Sequence, residues 1–168
     1  LLISKNKKFL RHFHHQLKTN KVTKIYEAIL VGVMKKDIEI KTNIDDSTKE
    51  HHHKVQESLD GKKAVSSFKI LKKFNSFTHA EILISTGRMH QIRVQSANLN
   101  HPIVNDKKYG LFNLNKYIAK ETTINRLALH AASISFCNLD GKTVSYKAKK
   151  NNEFDILLTE LENLTIKS

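Results

Sequence analysis

The chain has 168 residues, enough for one domain with a hydrophobic core but too few to favour two. Its 29 Lys and Arg residues outnumber 16 acidic residues, which gives a net charge of +13 and favours a polyanionic partner such as nucleic acid. No segment approaches the roughly 20 apolar residues of a membrane span, and no stretch has the Trp and Phe content of an interfacial anchor. We therefore expect RNA or DNA as the partner, and no membrane.

The cysteine and histidine content argues against disulfide and metal chemistry. The single Cys137 rules out an internal disulfide and a thiolate metal site, so a reducing compartment such as the cytoplasm is expected. His12 and His15 have a spacing that metal ligands can use, but no acidic or thiol residue is near them in sequence, and a solvated helix face is expected. His51-His52-His53 lies in a polar stretch, 41–54, that predicts a loop without fixed coordination geometry. We expect no metal ion.

The first part of the chain predicts a helix between two strands. Leu1 to Lys5 is a short apolar run typical of the end of a buried strand. Apolar residues recur every four positions from Asn6 to about Leu17, which predicts an amphipathic helix capped by Asn6. The β-branched and apolar run from Lys24 to Gly32 predicts a strand that ends at the glycine. Tyr26 within it fits a core position as well as a site.

Two hairpins and a closing helix are predicted in the rest of the chain. Strands from Lys63 to Ile70 and from His79 to Ile84 flank the polar pair Asn75-Ser76, and two further β-branched runs flank Asp140-Gly141. The apolar residues from Phe154 to Leu164 have helical spacing and predict a helix.

The most informative stretch is a group of polar residues at a strand-to-helix corner. The stretch reads Thr86-Gly87-Arg88-Met89-His90-Gln91-Ile92-Arg93-Val94, and His101-Pro102-Ile103-Val104-Asn105-Asp106-Lys107-Lys108-Tyr109-Gly110 follows it. His90 and Arg93 are three residues apart, so on a helix they share a face. An arginine so placed can meet a carboxylate or phosphate with two parallel donors. Taken alone, the pattern also fits a structural turn with surface charge.

The order and spacing of these residues closely resemble the central motif of the RluA-type pseudouridine synthases, which isomerise uridine in RNA. Further similar elements cover nearly the whole chain: Lys24-Ile25-Tyr26, Gly61-Lys62-x-Ala64-x-Ser66-x-Phe68 and Arg126 to Ala131. The resemblance implies an α+β fold, with a mixed, mostly antiparallel sheet flanked by helices. It also implies that residues 1–168 are a single domain, the C-terminal portion of a catalytic domain. The element from Ile124 to Ala132 is similar to that of the subgroup acting on large-subunit ribosomal RNA.

The resemblance implies catalytic roles for Tyr26 and Arg93. In this family an aspartate acts on the ribose, either as a nucleophile at C1′ or as a base at C2′, without metal, redox step or cofactor. Arg93 would lie beside that aspartate and keep it ionised. Tyr26 would stack on the target base and could help to remove the proton at its carbon 5. Leu1 to Lys5 resembles the end of the family's His-Arg-Leu-Asp motif, so the aspartate would precede Leu1. Because the 168 residues do not include it, we expect them to be inactive as given.

RNA contacts are expected around the same motif. Arg88 and His90 lie where the helix begins and could hold a phosphate together with backbone amides. Further candidates for contact with the RNA backbone are lysines: Lys62, Lys63, Lys107 and Lys108. We expect RNA, in particular ribosomal RNA, as the partner of a monomer. The alternative function, from a different class, is a non-catalytic RNA-binding module.

The chain departs from the family pattern at several positions besides the missing aspartate. Gln95 stands where many relatives have His, and Ala148-Lys149-Lys150 replaces the usual Ala-Pro. Asn100 and Asn105 replace common glycines, and these two changes are expected to alter turns rather than chemistry.

Overall fold

The computed structural model describes residues 2–45, 55–149 and 152–166. In chain order the helices and strands are α1 Lys7–Lys18, β1 Thr23–Val31, β2 Ile38–Asp45, β3 Gln56–Glu57, β4 Lys62–Lys73, β5 Phe77–Ile84, α2 Gln91–Asn98, α3 Phe112–Glu121, β6 Leu129–Cys137, β7 Thr143–Lys147 and α4 Asn152–Glu162. The predicted α+β fold is confirmed, as are the amphipathic N-terminal helix, both hairpins and the closing helix.

The strands form one sheet in the order β3-β2-β4-β5-β1-β6-β7, and every pairing between the described strands is antiparallel. β1 lies between β5 and β6, and its C-terminal half is fully buried at Ala28, Ile29 and Leu30. Because this half is apolar on both faces, β1 is covered by helices or loops on each side. A bulge in the pairing with β6 falls between Ile25 and Tyr26.

Helices α1 and α2 lie on the same face of the sheet, on either side of β1. In α1, Phe9 and Phe13 pack on Phe136 of β6, with ring centroids 5.7 and 5.1 Å apart. Phe136 shares a face with Ile134, the cross-strand partner of Lys24. On the other side, α2 packs on β4, and Ile84 pairs with both Ser66 of β4 and Lys24 of β1. Lys24 and Tyr26 therefore lie on the face that carries both helices.

The opposite face of the sheet is covered by α4. Phe154 of α4 packs against His79 and His130, with ring centroids 5.8 and 6.0 Å away. His79 in turn hydrogen-bonds Glu27, with 2.9 Å between Nε2 and Oε2. Within the residues described, no helix has the length and apolar character that crossing a membrane requires.

Three expectations from the sequence are wrong in the described residues. Leu2 to Lys5 does not form a strand, and Ile3 is 74% exposed because no strand pairs with this segment. Residues 41–45 belong to β2 rather than to a loop, since alternate side chains from Ile38 to Ile44 turn toward the core. His12 does not lie on a solvated face, because its Nε2 hydrogen-bonds the Cys137 carbonyl oxygen at 2.9 Å. The rest of the predicted loop, 46–54, lies outside the described residues.

Candidate active site

Helix α2 is anchored to the sheet by two buried glutamines on one side of the helix. The Gln91 amide group donates to the Val65 carbonyl oxygen and to Ser66 Oγ at 3.0 and 2.8 Å, and its carbonyl oxygen accepts from Thr86 Oγ1 at 2.7 Å. Gln95 is fully buried and accepts from Ser66 Oγ at 2.7 Å while donating to Thr42 Oγ1 at 3.0 Å. These bonds satisfy polar groups that burial would otherwise make costly, so they fix the position of α2.

Arg93 points away from the glutamine side of α2 and forms a two-pronged ion pair with Asp106. Its Nε donates to Oδ2 at 2.8 Å, and its Nη2 donates to Oδ1 at 2.7 Å. The Asp106 side chain is only 1% exposed and that of Arg93 is 19% exposed. The third guanidinium nitrogen, Nη1, has no hydrogen-bond partner among the described residues. The pair therefore fixes the plane of the guanidinium and leaves one corner of it for another acceptor.

Both members of this pair are held in their charged forms. Burial of Asp106 works against ionisation, but hydrogen bonds from Arg93 and from the backbone amides of Tyr109 and Lys108 outweigh it and lower the pKa of the carboxyl group. The hydrogen bond to Asp106 raises the pKa of Arg93 despite partial burial. Because both oxygens of Asp106 already accept hydrogen bonds and almost no surface is exposed, this carboxylate is a structural partner and not an available nucleophile.

Tyr109 and His90 complete the surroundings of Arg93, and we call Arg93, Asp106, Tyr109 and His90 the Arg93 cluster. The guanidinium carbon lies 5.0 Å from the centroid of the Tyr109 ring, a cation–π distance. The Tyr109 hydroxyl oxygen accepts the Val55 amide at 2.9 Å and lies 3.0 Å from His90 Nδ1. Burial, with the charges of Arg93 and Lys108, lowers the pKa of His90. The Nδ1 atom of a neutral His90 can then accept a hydrogen bond from the Tyr109 hydroxyl.

His90 and Arg93 both contact Tyr109, although His90 does not lie inside the helix as expected from the sequence. It caps α2 from the left-handed region, with φ of 55°. The His90 imidazole contacts the Tyr109 hydroxyl, and the Arg93 guanidinium lies over the Tyr109 ring. Asp106 and Tyr109 belong to the second half of the motif, and the sequence alone predicts no role for either residue.

Lys24 joins β1 to the glycine turn before α2. Its Nζ donates to the Thr86 carbonyl oxygen at 3.0 Å, and a Cβ at Gly87 would lie 3.1 Å from the same nitrogen. The glycine therefore permits the close approach of the ammonium group. Burial, together with the nearby charge of Arg88, lowers the pKa of Lys24. The lysine of the Lys24-Ile25-Tyr26 element thus holds the turn before α2, a role that the sequence alone does not predict.

Tyr26 is half-buried on the same strand face as Lys24, opposite Ile82 of β5 and Ala131 of β6. Burial raises the pKa of its phenol. Its hydroxyl has no hydrogen-bond partner in the part of the chain that the structure describes, and no hydrogen bond or cation–π contact joins it to Arg93 there. Tyr26 and the helix that carries Arg93 therefore lie on the same side of the sheet.

The residues predicted to bind RNA divide into two groups. Arg88 donates from Nε to the Lys63 carbonyl oxygen at 3.0 Å, so it is tied to the start of β4, where Lys62 and Lys63 are exposed. Lys107 is exposed beside Asp106, whereas the Lys108 amide donates to Asp106 Oδ1 at 2.9 Å. The Arg88 amide is not available to a phosphate, because it donates to the Gln91 side chain at 3.1 Å.

The departures from the family pattern at Asn100, Asn105 and Gln95 have structural explanations. Asn100 and Asn105 adopt φ of 61° and 60°, the left-handed region in which Gly and Asn are favoured, so the two changes fall at turns as expected. Gln95 anchors α2, as described above.

Among residues 2–45, 55–149 and 152–166, no group of three His, Cys, Asp or Glu side chains is placed to hold a metal ion, and His51-His52-His53 lies outside those ranges.

Comparison with known proteins agrees with this fold. In structure, the chain is similar to human RNA pseudouridylate synthase domain containing 4, with a TM-score of 0.76 and 24% identity over 96% of this chain and 70% of that one. It is also similar to human RNA pseudouridylate synthase domain containing 1, with a TM-score of 0.73 and 20% identity over 98% of this chain and 75% of that one. At these identities the likeness concerns the fold.

Similarity in sequence identifies the family. The chain is 40% identical over 139 residues to ribosomal large subunit pseudouridine synthase C of Buchnera aphidicola subsp. Baizongia pistaciae, which covers 81% of this chain and 44% of that protein. It is 32% identical to the protein of the same name from Haemophilus influenzae, over 96% of this chain and 51% of that one. The chain thus spans about half the length of these relatives. The family described as RNA pseudouridylate synthase matches residues 1–98. The chain belongs to the RNA pseudouridylate synthase family, of the RluA type.

Proposed function

We propose that the protein is an RNA pseudouridine synthase that converts uridine to pseudouridine in large-subunit ribosomal RNA. The 168 residues act as a single domain, the C-terminal portion of the catalytic domain. The observation that carries this proposal is the fixed guanidinium of Arg93, whose Nη1 has no partner among the described residues although Asp106 holds its other edge. A further carboxylate, such as the aspartate of the family's His-Arg-Leu-Asp motif, would find there a charged donor in a set orientation.

Arg93 then acts by keeping the incoming aspartate ionised and aimed at the ribose. An opposite charge within about 4–6 Å lowers a carboxyl pKa by about 1–3 units, so the aspartate is ionised at neutral pH. Asp106 cannot replace it, because burial and four hydrogen bonds occupy its oxygens. We therefore propose that the 168-residue polypeptide alone does not turn over uridine.

In this proposal Tyr26 acts through its aromatic ring, and its hydroxyl is not a general base. Its pKa is raised by burial, so the phenol is protonated at neutral pH. The neutral phenol ring, on the face of the sheet that carries α1 and α2, can stack on a uracil that has been flipped out of the RNA helix. Lys24, two residues before it, holds the turn that leads to Arg88 and α2.

The second candidate, a non-catalytic RNA-binding module, is favoured by two observations. The carboxylate that pairs with Arg93 is fully engaged, and the excess of basic residues serves RNA binding without any reaction.

Pseudouridine mapping separates the two candidates. Large-subunit ribosomal RNA lacking the modification is incubated with residues 1–168 and with the same chain extended at its N-terminus by a segment bearing the family's His-Arg-Leu-Asp motif. We expect pseudouridine only with the longer chain, and a large loss when its Arg93 is changed to Lys. RNA binding without pseudouridine from the longer chain would support the binding module, and turnover from residues 1–168 alone would refute the role given to the upstream aspartate.

A further inference from the structure

The first 26 residues contain seven Lys and Arg residues and no Asp or Glu. Four basic side chains of α1 are exposed on one side of the helix, and we call them the α1 stripe: Lys7, Arg11, His14 and Lys18. With 3.6 residues per turn, these four fall within about 60° of one another and extend over about 16 Å. This concentration of charge lies outside the residues assigned to the candidate active site.

The α1 stripe has no acidic partner among the residues that the structure describes. Within residues 2–45, 55–149 and 152–166, no ion pair or hydrogen bond engages the side chains of Lys7, Arg11, His14 or Lys18. The opposite side of the helix explains why these residues face solvent. Phe9 and Phe13 pack on Phe136, and Gln16 accepts the Cys137 amide at 2.7 Å. The orientation of the stripe is therefore fixed by packing and not by neutralising contacts.

The α1 stripe also lies on the side of the sheet that carries Tyr26. α1 covers β6, α2 covers β4, and β1 runs between them with Lys24 and Tyr26 on that face. An exposed aromatic ring lies on the same sheet face: Tyr146 of β7 is 56% exposed and stacks at 5.9 Å on Phe136, the ring on which α1 packs. A row of exposed basic side chains and an exposed aromatic ring on one face are features that bind a nucleic acid strand through its phosphates and bases.

We infer that the α1 stripe is a second RNA-binding surface, which contacts the phosphates of the strand flanking the uridine bound near Tyr26. This inference rests on the proposed function, since it takes RNA as the polyanion. RNA is favoured over an anionic membrane because the stripe shares its sheet face with Tyr26 and Arg88, and because the exposed leucines of α1 are few, Leu10 and Leu17, and only 42% and 38% exposed.

The test measures how salt affects binding of the 168-residue chain to a labelled uridine-containing RNA hairpin. The variant Lys7→Gln/Arg11→Gln/Lys18→Gln removes three charges, and glutamine retains helix propensity. The control Lys69→Gln/Lys116→Gln/Lys120→Gln removes three charges from exposed positions on β4 and α3. Each lost phosphate contact reduces the slope of log affinity against log salt by about 1, so we expect a reduction of about 2–3 in the stripe variant and under about 1 in the control.

A slope reduction no larger than that of the control would overturn the inference, since net charge alone would then explain the effect. Loss of binding to phosphatidylserine vesicles with unchanged RNA binding would also overturn it. If the triple variant fails to fold by circular dichroism, Lys18→Gln is compared with Lys69→Gln, and a slope lower by about 1 in the first alone is expected. Pseudouridine mapping is independent of these slopes, so failure of the stripe and failure of the proposed function give different results.

Discussion

Helices α1 and α2 lie on the same face of the sheet but are held there in different ways. In α2, five of the eight residues are buried, and the polar side chains Gln91, Arg93 and Gln95 are each tied to a defined partner. In α1, Gln16 is the only fully buried residue, and a row of cations faces solvent without partners among the described residues. The first arrangement suits chemistry that depends on orientation, and the second suits attraction that depends on charge.

The difference between the two helices can be tested first by measuring how substitutions change the free energy of unfolding. Arg93→Met should lower the free energy of unfolding by about 3–5 kcal/mol, because it leaves the buried Asp106 carboxylate without its partner. Urea denaturation followed by circular dichroism measures this. The matched control is Arg126→Met, which removes an exposed ion pair to Glu153 and should cost under about 1 kcal/mol. Equal losses in the two variants would show that the Arg93 pair is no better supported than a surface contact.

Gln95→Met should produce the next largest effect. The substitution keeps the side-chain volume but removes the partners of Ser66 and Thr42 in the core, at a cost of about 1–3 kcal/mol. Thermal or urea unfolding measures the loss, and Asn98→Ala at an exposed position of the same helix serves as the control. A variant as stable as the wild type would mean that the buried amide contributes nothing to holding α2.

Acid should weaken the Arg93 cluster, and the direction follows from the lowered pKa of Asp106. A carboxyl group whose folded-state pKa lies below its unfolded value of about 3.9 contributes stability that is present above that value and is lost as the pH falls through the folded pKa. The stability difference between wild type and Asp106→Asn should therefore shrink as the pH falls below about 4. Urea unfolding at stepped pH measures it, and a difference that is independent of pH would contradict the assignment.

The smallest effect on stability is expected in the α1 stripe. Lys7→Gln/Arg11→Gln/Lys18→Gln should change the free energy of unfolding by under about 0.5 kcal/mol, because the substituted side chains are exposed and unpaired in the described structure. The same variant is expected to weaken RNA binding, so binding and stability separate at this helix. A loss of stability comparable to that of Arg93→Met would place the stripe among the structural contacts instead.

The sequence could predict the helices and strands with clear periodicity. Phe9, Phe13 and Leu17 indicated α1, and the β-branched run around Ile29 indicated β1. β2 was missed although Ile38, Ile40 and Ile44 alternate with polar residues, because its last residues were assigned to the polar stretch that follows them. That alternation was the available signal.

The candidate site could be located from the sequence but not resolved in its contacts. The motif identified Arg93, and its spacing from His90 predicted a shared face. The pairing of Arg93 with Asp106 could not be derived, because the two residues are brought together by the chain reversal at Asn100 and Asn105, where positive φ angles decide the path. The anchoring by Gln91 and Gln95 depends likewise on the register of β4, since Ser66 accepts from one and donates to the other.

The most direct test of the central claim compares pseudouridine formation by the upstream-extended chain with and without Arg93→Lys. Lysine keeps the positive charge but cannot hold Asp106 at one edge and a second carboxylate at the other, so we expect the rate to fall about 100-fold or more while RNA affinity is retained. An Arg93→Lys variant that forms pseudouridine at the wild-type rate would contradict the claim that this guanidinium orients the catalytic aspartate.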